Sequence, residues 1–169
     1  METLEAIKTR KSVRSFSSKE IEDEKIEILM KAAMSAPSAV NRQPWFFYVV
    51  KDNDMKKELI KTIQFGKYKS PIIIIPCIKE TSTIPFNHDL AVCDLSAATE
   101  NILLAAHDMG LGAVWCAVFP SKSHIKSIKK VLGAPAGISP FCAIFVGYPS
   151  DDDKSKVKDK YNEKAVKVI

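Results

Sequence analysis

Apolar residues recur along this chain either in a helical repeat or in short continuous runs, and the switch from one to the other lays out the elements. Ile26, Leu29, Met30, Ala33 and Met34 fall at i, i+3, i+4, i+7 and i+8, one stripe of a helical repeat. Residues 23–35 are therefore predicted to form an amphipathic helix, stopped by Pro37. Residues 45–50 are aromatic and β-branched, bounded by Pro44 and by Asp52-Asn53, and read as a buried strand. Met55, Leu59, Ile60 and Ile63 mark a second helix, and the apolar run 72–77, with Pro71 and Pro76 beside and within it, has strand length and leads into a loop. From 89 to 109, Leu90, Cys93, Ala97, Ala98, Leu104 and Ala105 make a long helix of small residues that another helix can approach closely, ended by Gly110. Residues 112–118 read as a strand. Ser121 or Ser123 can cap a helix carrying Ile125, Ile128 and Leu132 before Gly133, and the last strand is 141–146. Four strands interleaved with four or five helices imply an α/β or α+β layered fold.

Beyond Gly147-Tyr148-Pro149 the pattern fades. Residues 150–160 hold three consecutive aspartates and then alternating lysines, and apolar character returns only at 165–169. Such a stretch cannot bury enough surface to fold alone, so it is either disordered or pinned to something else. The chain divides into one domain, 1–149, and an extension, 150–169, expected to pack on a partner subunit.

Composition narrows the classes. With 169 residues, 46% hydrophobic and 27% charged, the chain suits a single core and excludes disorder for its bulk. Its apolar runs fall far below the roughly 20 residues of a membrane helix. The start, Met1-Glu2-Thr3-Leu4-Glu5, has no apolar stretch of a signal peptide, so a cytoplasmic location is expected. Cys77, Cys93, Cys116 and Cys142 form no C-x-x-C pair and read as buried thiols; His88, His107 and His124 show no metal-binding spacing. The formal charge of +5 is spread over several segments and not gathered into one basic block, which speaks against nucleic acid.

Three segments carry candidate chemistry. Arg10-Lys11-Ser12-Val13-Arg14 follows a short apolar turn at Leu4, Ala6 and Ile7 and places three cations and a hydroxyl within five residues. If extended, it projects Arg10, Ser12 and Arg14 to one side, where guanidinium groups can chelate a phosphate. The same residues read equally as a solvated basic turn. In residues 36–45, Pro37 and Pro44 preset the backbone around Ser38, Asn41, Arg42 and Gln43, whose amide and hydroxyl groups can read a heterocycle edge or merely close local turns. Gly110 and Gly112 follow a helix instead of opening one, so they make no dinucleotide-binding loop; Asp94 and Asn101 on that helix read as buried, hydrogen-bonded core residues.

Taken in order, R-K-S-V-R-S-F, A-P-S-A-V-N-R-Q-P-W, A-A-T-E-N-I-L-L-A-A-H-D-M-G-L-G-A-V-W and a final G-Y-P resemble the FMN-dependent nitroreductase and NAD(P)H:flavin oxidoreductase family, over roughly residues 4–149. The resemblance implies an α+β fold, a central mixed β-sheet flanked by helices in an intertwined homodimer, with FMN in the dimer interface and NADH or NADPH as reductant. It implies that Arg10, Ser12 and Arg14 hold the FMN phosphate and ribityl chain, with Lys11 nearby. Pro37, Ser38, Ala39 and Asn41 would reach the flavin of the other subunit, and Gln43 would stand close to it. Trp115, Cys116 and Ala117 match the segment that offers backbone groups near N5, and Lys158 and Lys160 the late basic pair at the phosphate. Members often have Arg at that pair and Gly in the Cys116-Ala117 segment, while residues 62–70 hold only Lys67 as a candidate for a further flavin contact.

No nucleophile, base and orienter set stands out, which suits flavin chemistry, where the cofactor itself accepts a hydride. The expected reaction is a ping-pong transfer from NAD(P)H to a nitroaromatic, quinone or flavin, with no nucleic acid or membrane partner. Two other readings are a different flavin chemistry on the same fold, such as a reductive dehalogenase or flavin-fragmenting synthase, and a non-enzymatic basic binding module.

Overall fold

The computed structural model describes residues 2–64, 66–83 and 88–169. A short helix, α1 (Thr3–Thr9), stands where the sequence suggested only an apolar turn, and is followed by α2 (Asp23–Met34), α3 (Asn53–Thr62), α4 (His88–Asp108) and α5 (Lys122–Leu132). The strands are β1 (Trp45–Val50), β2 (Ile72–Lys79), β3 (Gly112–Ala117), β4 (Ile138–Pro140) and β5 (Cys142–Gly147). They make one sheet in the order β1-β2-β5-β3, with β4 paired to β2. Every ladder is antiparallel, and the parallel component is the isolated bridge from Ser12 to Ala113.

The two central strands explain the continuous apolar runs of the sequence. Successive side chains of a strand point to opposite faces, and both faces of β2 are covered. Ile72 and Ile74 pack with Leu29 and Ala33 of α2 and Leu95, Ala98 and Ile102 of α4. Ile73 and Ile75 pack with Leu59 of α3, Ile128 of α5 and Phe145 of β5. The small residues of α4 are thereby used inside the chain: Ala91, Ala98 and Ala106 are buried, and Asn101 donates from Nδ2 to the Ala32 carbonyl on α2 at 3.0 Å.

Helix ends follow local rules. Asp52 accepts from the Met55 N–H and Ser121, not Ser123, from the His124 N–H, capping α3 and α5. Gly110 at φ 74 ends α4 in a Schellman arrangement: Leu111 donates to the Ala106 carbonyl at 2.8 Å and Gly110 to that of His107 at 3.1 Å.

Two further departures from the sequence reading stand out, at β4 and at Cys93. Strand β4 was missed because three residues ending in proline carry no periodic signal; it exists because β2 runs on to Lys79 and offers it a partner. Cys93, expected to be buried, is exposed, because α4 turns positions 91, 94, 95 and 98 inward and 93 outward. The loop after β2 opens with a 3-10 turn, Glu80–Ser82, and its residues 84–87 lie outside the described residues.

Candidate functional site

Position in the sheet prepares one side of the site. Strand β3 ends the strand order, so the outer backbone groups of Trp115, Cys116 and Ala117 meet no further strand among the described residues. The N-terminal segment reaches this edge only at its start, where Val13 donates to the Ala113 carbonyl at 3.0 Å. Gly112 permits that approach: a Cβ there would lie 2.6 Å from Val13. Trp115 is half-buried against Phe141 (ring centroids 5.7 Å apart, edge to face) and Ala117 is exposed. Burial pushes the Cys116 thiol up to about 11, with Arg14 opposing, so a protonated thiol stands there near neutral pH.

Beside this edge lies a cavity of about 430 Å³ lined by Arg10, Lys11, Ser12 and Arg14 and, from the extension, Lys154, Ser155, Lys156, Lys158 and Lys160. Six sequence-predicted residues thus meet: Arg10, Lys11, Ser12, Arg14, Lys158 and Lys160. Lys11 lines the cavity together with the alternate residues on either side, so strict strand alternation is not kept. Arg10 Nε pairs with Glu100 on α4 at 3.0 Å, and Arg14 Nη1 donates to the Ser12 carbonyl at 3.2 Å. His107, with Nε2 2.9 Å from the Thr9 hydroxyl, has its pKa lowered by burial and then by Arg10 and Lys11, so it adds no cation to the cluster at neutral pH.

Two residues that the sequence did not single out hold the extension in place. Lys11 Nζ donates to the Ser155 carbonyl at 2.8 Å and lies 3.5 Å from Asp153. The Ser155 hydroxyl sits 2.9 Å from the Ser12 carbonyl and 2.7 Å from Asp153 Oδ1. The Asp153 side chain is 6% exposed, and among the described residues its Oδ2 makes no hydrogen bond and faces the Lys11 ammonium. In the sequence Asp153 is the last of three aspartates in a polar run, a pattern that reads as solvated; the cation that faces it, Lys11, comes from the other end of the chain.

The second predicted group, Pro37, Ser38, Ala39, Asn41 and Gln43, does not line this cavity. It forms a tight loop at the start of β1, with a 3-10 turn, Ala39–Asn41. The Asn41 N–H donates to the Ser38 carbonyl at 2.9 Å and the Gln43 N–H to the Ser38 hydroxyl at 3.0 Å. Buried Asp94 on α4 accepts from the Ala39 N–H at 2.9 Å, and Arg42 donates to the carbonyls of Ser82 and Thr83, both at 3.3 Å. Val40, Asn41 and Gln43 all have positive φ, near 50°, and Val40 is 82% exposed. An exposed loop with its backbone fixed this firmly presents its remaining amides at set angles. Lys67 is exposed and does not line the clamp's cavity; Phe65, in the same stretch, lies outside the described residues.

Among the described residues no helix is long and apolar enough to cross a membrane. The chain matches the family model described as "Nitroreductase family" over residues 7–69 and 61–148. A protein of Archaeoglobus fulgidus called "Putative NADH dehydrogenase/NAD(P)H nitroreductase" is 42% identical over 165 residues, covering 95% of this chain and 94% of its own. The crystal structure of a protein with that same name from Parabacteroides distasonis superposes with a TM-score of 0.91 at 38% identity, covering 98% of this chain and 96% of its own. A Desulfovibrio desulfuricans protein called a "putative nitroreductase", solved in complex with FMN, gives a TM-score of 0.81 at 27% identity over 98% of this chain and 94% of its own. The cation-lined cavity beside an open sheet edge therefore occurs in a chain that belongs to the nitroreductase family.

Proposed function

We propose that this chain is an FMN-dependent NAD(P)H oxidoreductase that reduces small electron acceptors by a ping-pong cycle, as a homodimer. One observation carries the reading: Arg10, Ser12, Arg14, Lys158 and Lys160 converge on one cavity beside β3, the last strand of the sheet order. The donor set fits FMN. Guanidinium groups match a phosphate in two-pronged fashion, the two lysines add point charges, and Ser12 adds a hydroxyl. The outer backbone of Trp115–Ala117 suits the polar edge of a flat heterocycle, and exposed Ala117 leaves room over it.

Bound FMN supplies hydride acceptance and donation at N5. The chain's own part is binding, orientation and electrostatics. Arg10, Ser12 and Arg14 would hold and neutralise the FMN phosphate, and the outer backbone of Trp115–Ala117 would bond the polar edge of the flavin ring. Residues 37–43 of a second copy, Pro37, Ser38, Ala39, Asn41 and Gln43, would close the site, because in their own chain they stand apart from the clamp. Their rigid, exposed backbone is what a contact across a dimer interface requires. Side chains move no proton here: Cys116 stays a thiol and His107 stays neutral.

Anaerobic NADH or NADPH should bleach the visible absorbance of the purified protein, and menadione or a nitroaromatic should restore it, with parallel double-reciprocal lines in steady state. Intersecting lines would reject the shared-face cycle; a colourless protein that takes up no FMN would reject the cofactor.

A further inference from the structure

The clamp's cavity carries more positive charge than one flavin phosphate can balance. Seven cations line it: Arg10, Lys11 and Arg14 from the N-terminal segment, and Lys154, Lys156, Lys158 and Lys160 from the extension. Two carboxylates answer them, Glu100 at Arg10 and Asp153 at Lys11, which leaves an excess of five. Among the described residues none of the four extension lysines makes a salt bridge, and Asp151, Asp152 and Asp159 are exposed and do not line the cavity. A phosphomonoester brings about −1.5 to −2, so roughly three positive charges along the cavity wall are left without a counter-charge.

The surplus is also held in place. Ser155 is fixed at its carbonyl by Lys11, and its hydroxyl lies within hydrogen-bond reach of Ser12 and Asp153. Lys154 and Lys156 flank that fixed residue, so their backbone is held beside the clamp while both exposed side chains line the same cavity. Side chains at alternate positions of an irregular, extended segment can share one side, and Lys154, Lys156, Lys158 and Lys160 all line the same wall.

We propose that Lys154 and Lys156 form a second anion subsite, beside the clamp, that recognises the phosphates of the reductant and so selects NADPH over NADH. The proposal rests on the flavin reading above. NADPH and NADH share a diphosphate; the 2′-phosphate of NADPH adds nearly two more negative charges, and Lys154 and Lys156, which make no salt bridge among the described residues, reward that difference. No shape-specific ribose pocket is needed, only unneutralised charge at the entrance.

The test is calorimetric titration of NADP⁺ and NAD⁺ into FMN-loaded protein, which needs no turnover. In the wild type at about 0.01 M ionic strength, where charges are felt over about 30 Å, NADP⁺ should bind about tenfold more tightly, the worth of one charge-assisted contact. At about 1 M salt, where the screening length is about 3 Å, the two affinities should converge. The Lys154→Ala/Lys156→Ala double variant should lose the preference at low salt, and Lys154→Arg/Lys156→Arg should keep it. Equal affinities in the wild type at low salt, or a preference that survives the alanine pair, would overturn the subsite. Flavin occupancy is read separately from visible absorbance: wild-type protein that takes up no FMN would sink the flavin reading and the subsite with it, whereas FMN-loaded protein with equal affinities would overturn the subsite alone.

Discussion

Residues 10–14 and residues 37–43 both bring polar groups to the surface, yet different forces hold them. The first segment touches the sheet at the Val13–Ala113 hydrogen bond and is otherwise tied by long-range charge: Arg10 to Glu100, and Lys11 to Asp153 and Ser155. The second is tied mainly to itself. Its turns close within the loop, two prolines bound it, and buried Asp94 anchors one backbone N–H. A clamp built on charge responds to salt and to the arrival of an anion. A loop built on backbone geometry keeps one shape whatever the solvent, as a surface offered to another copy of the chain must.

The largest effect expected from breaking this contrast is at Gly112. Its missing Cβ makes room for Val13, so Gly112→Val overpacks that contact, at a cost of about 1–3 kcal/mol, and lifts the whole clamp off β3. Thermal unfolding should fall by several degrees and bound flavin should be lost together; a companion Val13→Ala in a Gly112→Ala background should recover part of both. Unchanged unfolding and flavin content would mean that the clamp is placed by something other than this contact.

Next in size is Arg14→Ala. Arg14 is exposed and bonds only the Ser12 carbonyl among the described residues, so flavin-free protein should unfold as before. FMN affinity should drop by about 1.5–3 kcal/mol, as for a charge-assisted hydrogen bond, and the loss should shrink as salt rises. Fluorescence titration of FMN at low and high salt measures this; a loss independent of salt would remove Arg14 from the electrostatic half.

The smallest effect belongs to the loop. Val40 sits at φ 50, where a residue with a Cβ pays roughly 1–2 kcal/mol, while glycine there gives back about 0.5–1 kcal/mol in conformational entropy. Val40→Gly should therefore stabilise the flavin-free protein slightly, by less than about 1 kcal/mol in urea unfolding. A clear destabilisation would show that the exposed valine makes a contact worth more than its strain.

The sequence by itself determined most elements. The helical repeat over 23–35, the aromatic and β-branched run 45–50 and the Gly110 and Gly133 stops are local signals, because side-chain spacing and capping act within a few residues, whereas the choice of Ser121 over Ser123 as cap came from the structure. The sequence also named the residues of the clamp and the loop, since Arg10, Ser12, Arg14 and the Pro37 to Gln43 pattern can be seen in one line of text. Only the tertiary structure decided that residues 10–14 lie on the edge strand, that β4 exists, and that Cys93 faces outward. It alone joined the extension to the clamp through Asp153 and Ser155. The reason is the same in each case: these features depend on which distant segment supplies the partner, and a buried carboxylate and a solvated one look alike in a sequence until the cation that faces it is known.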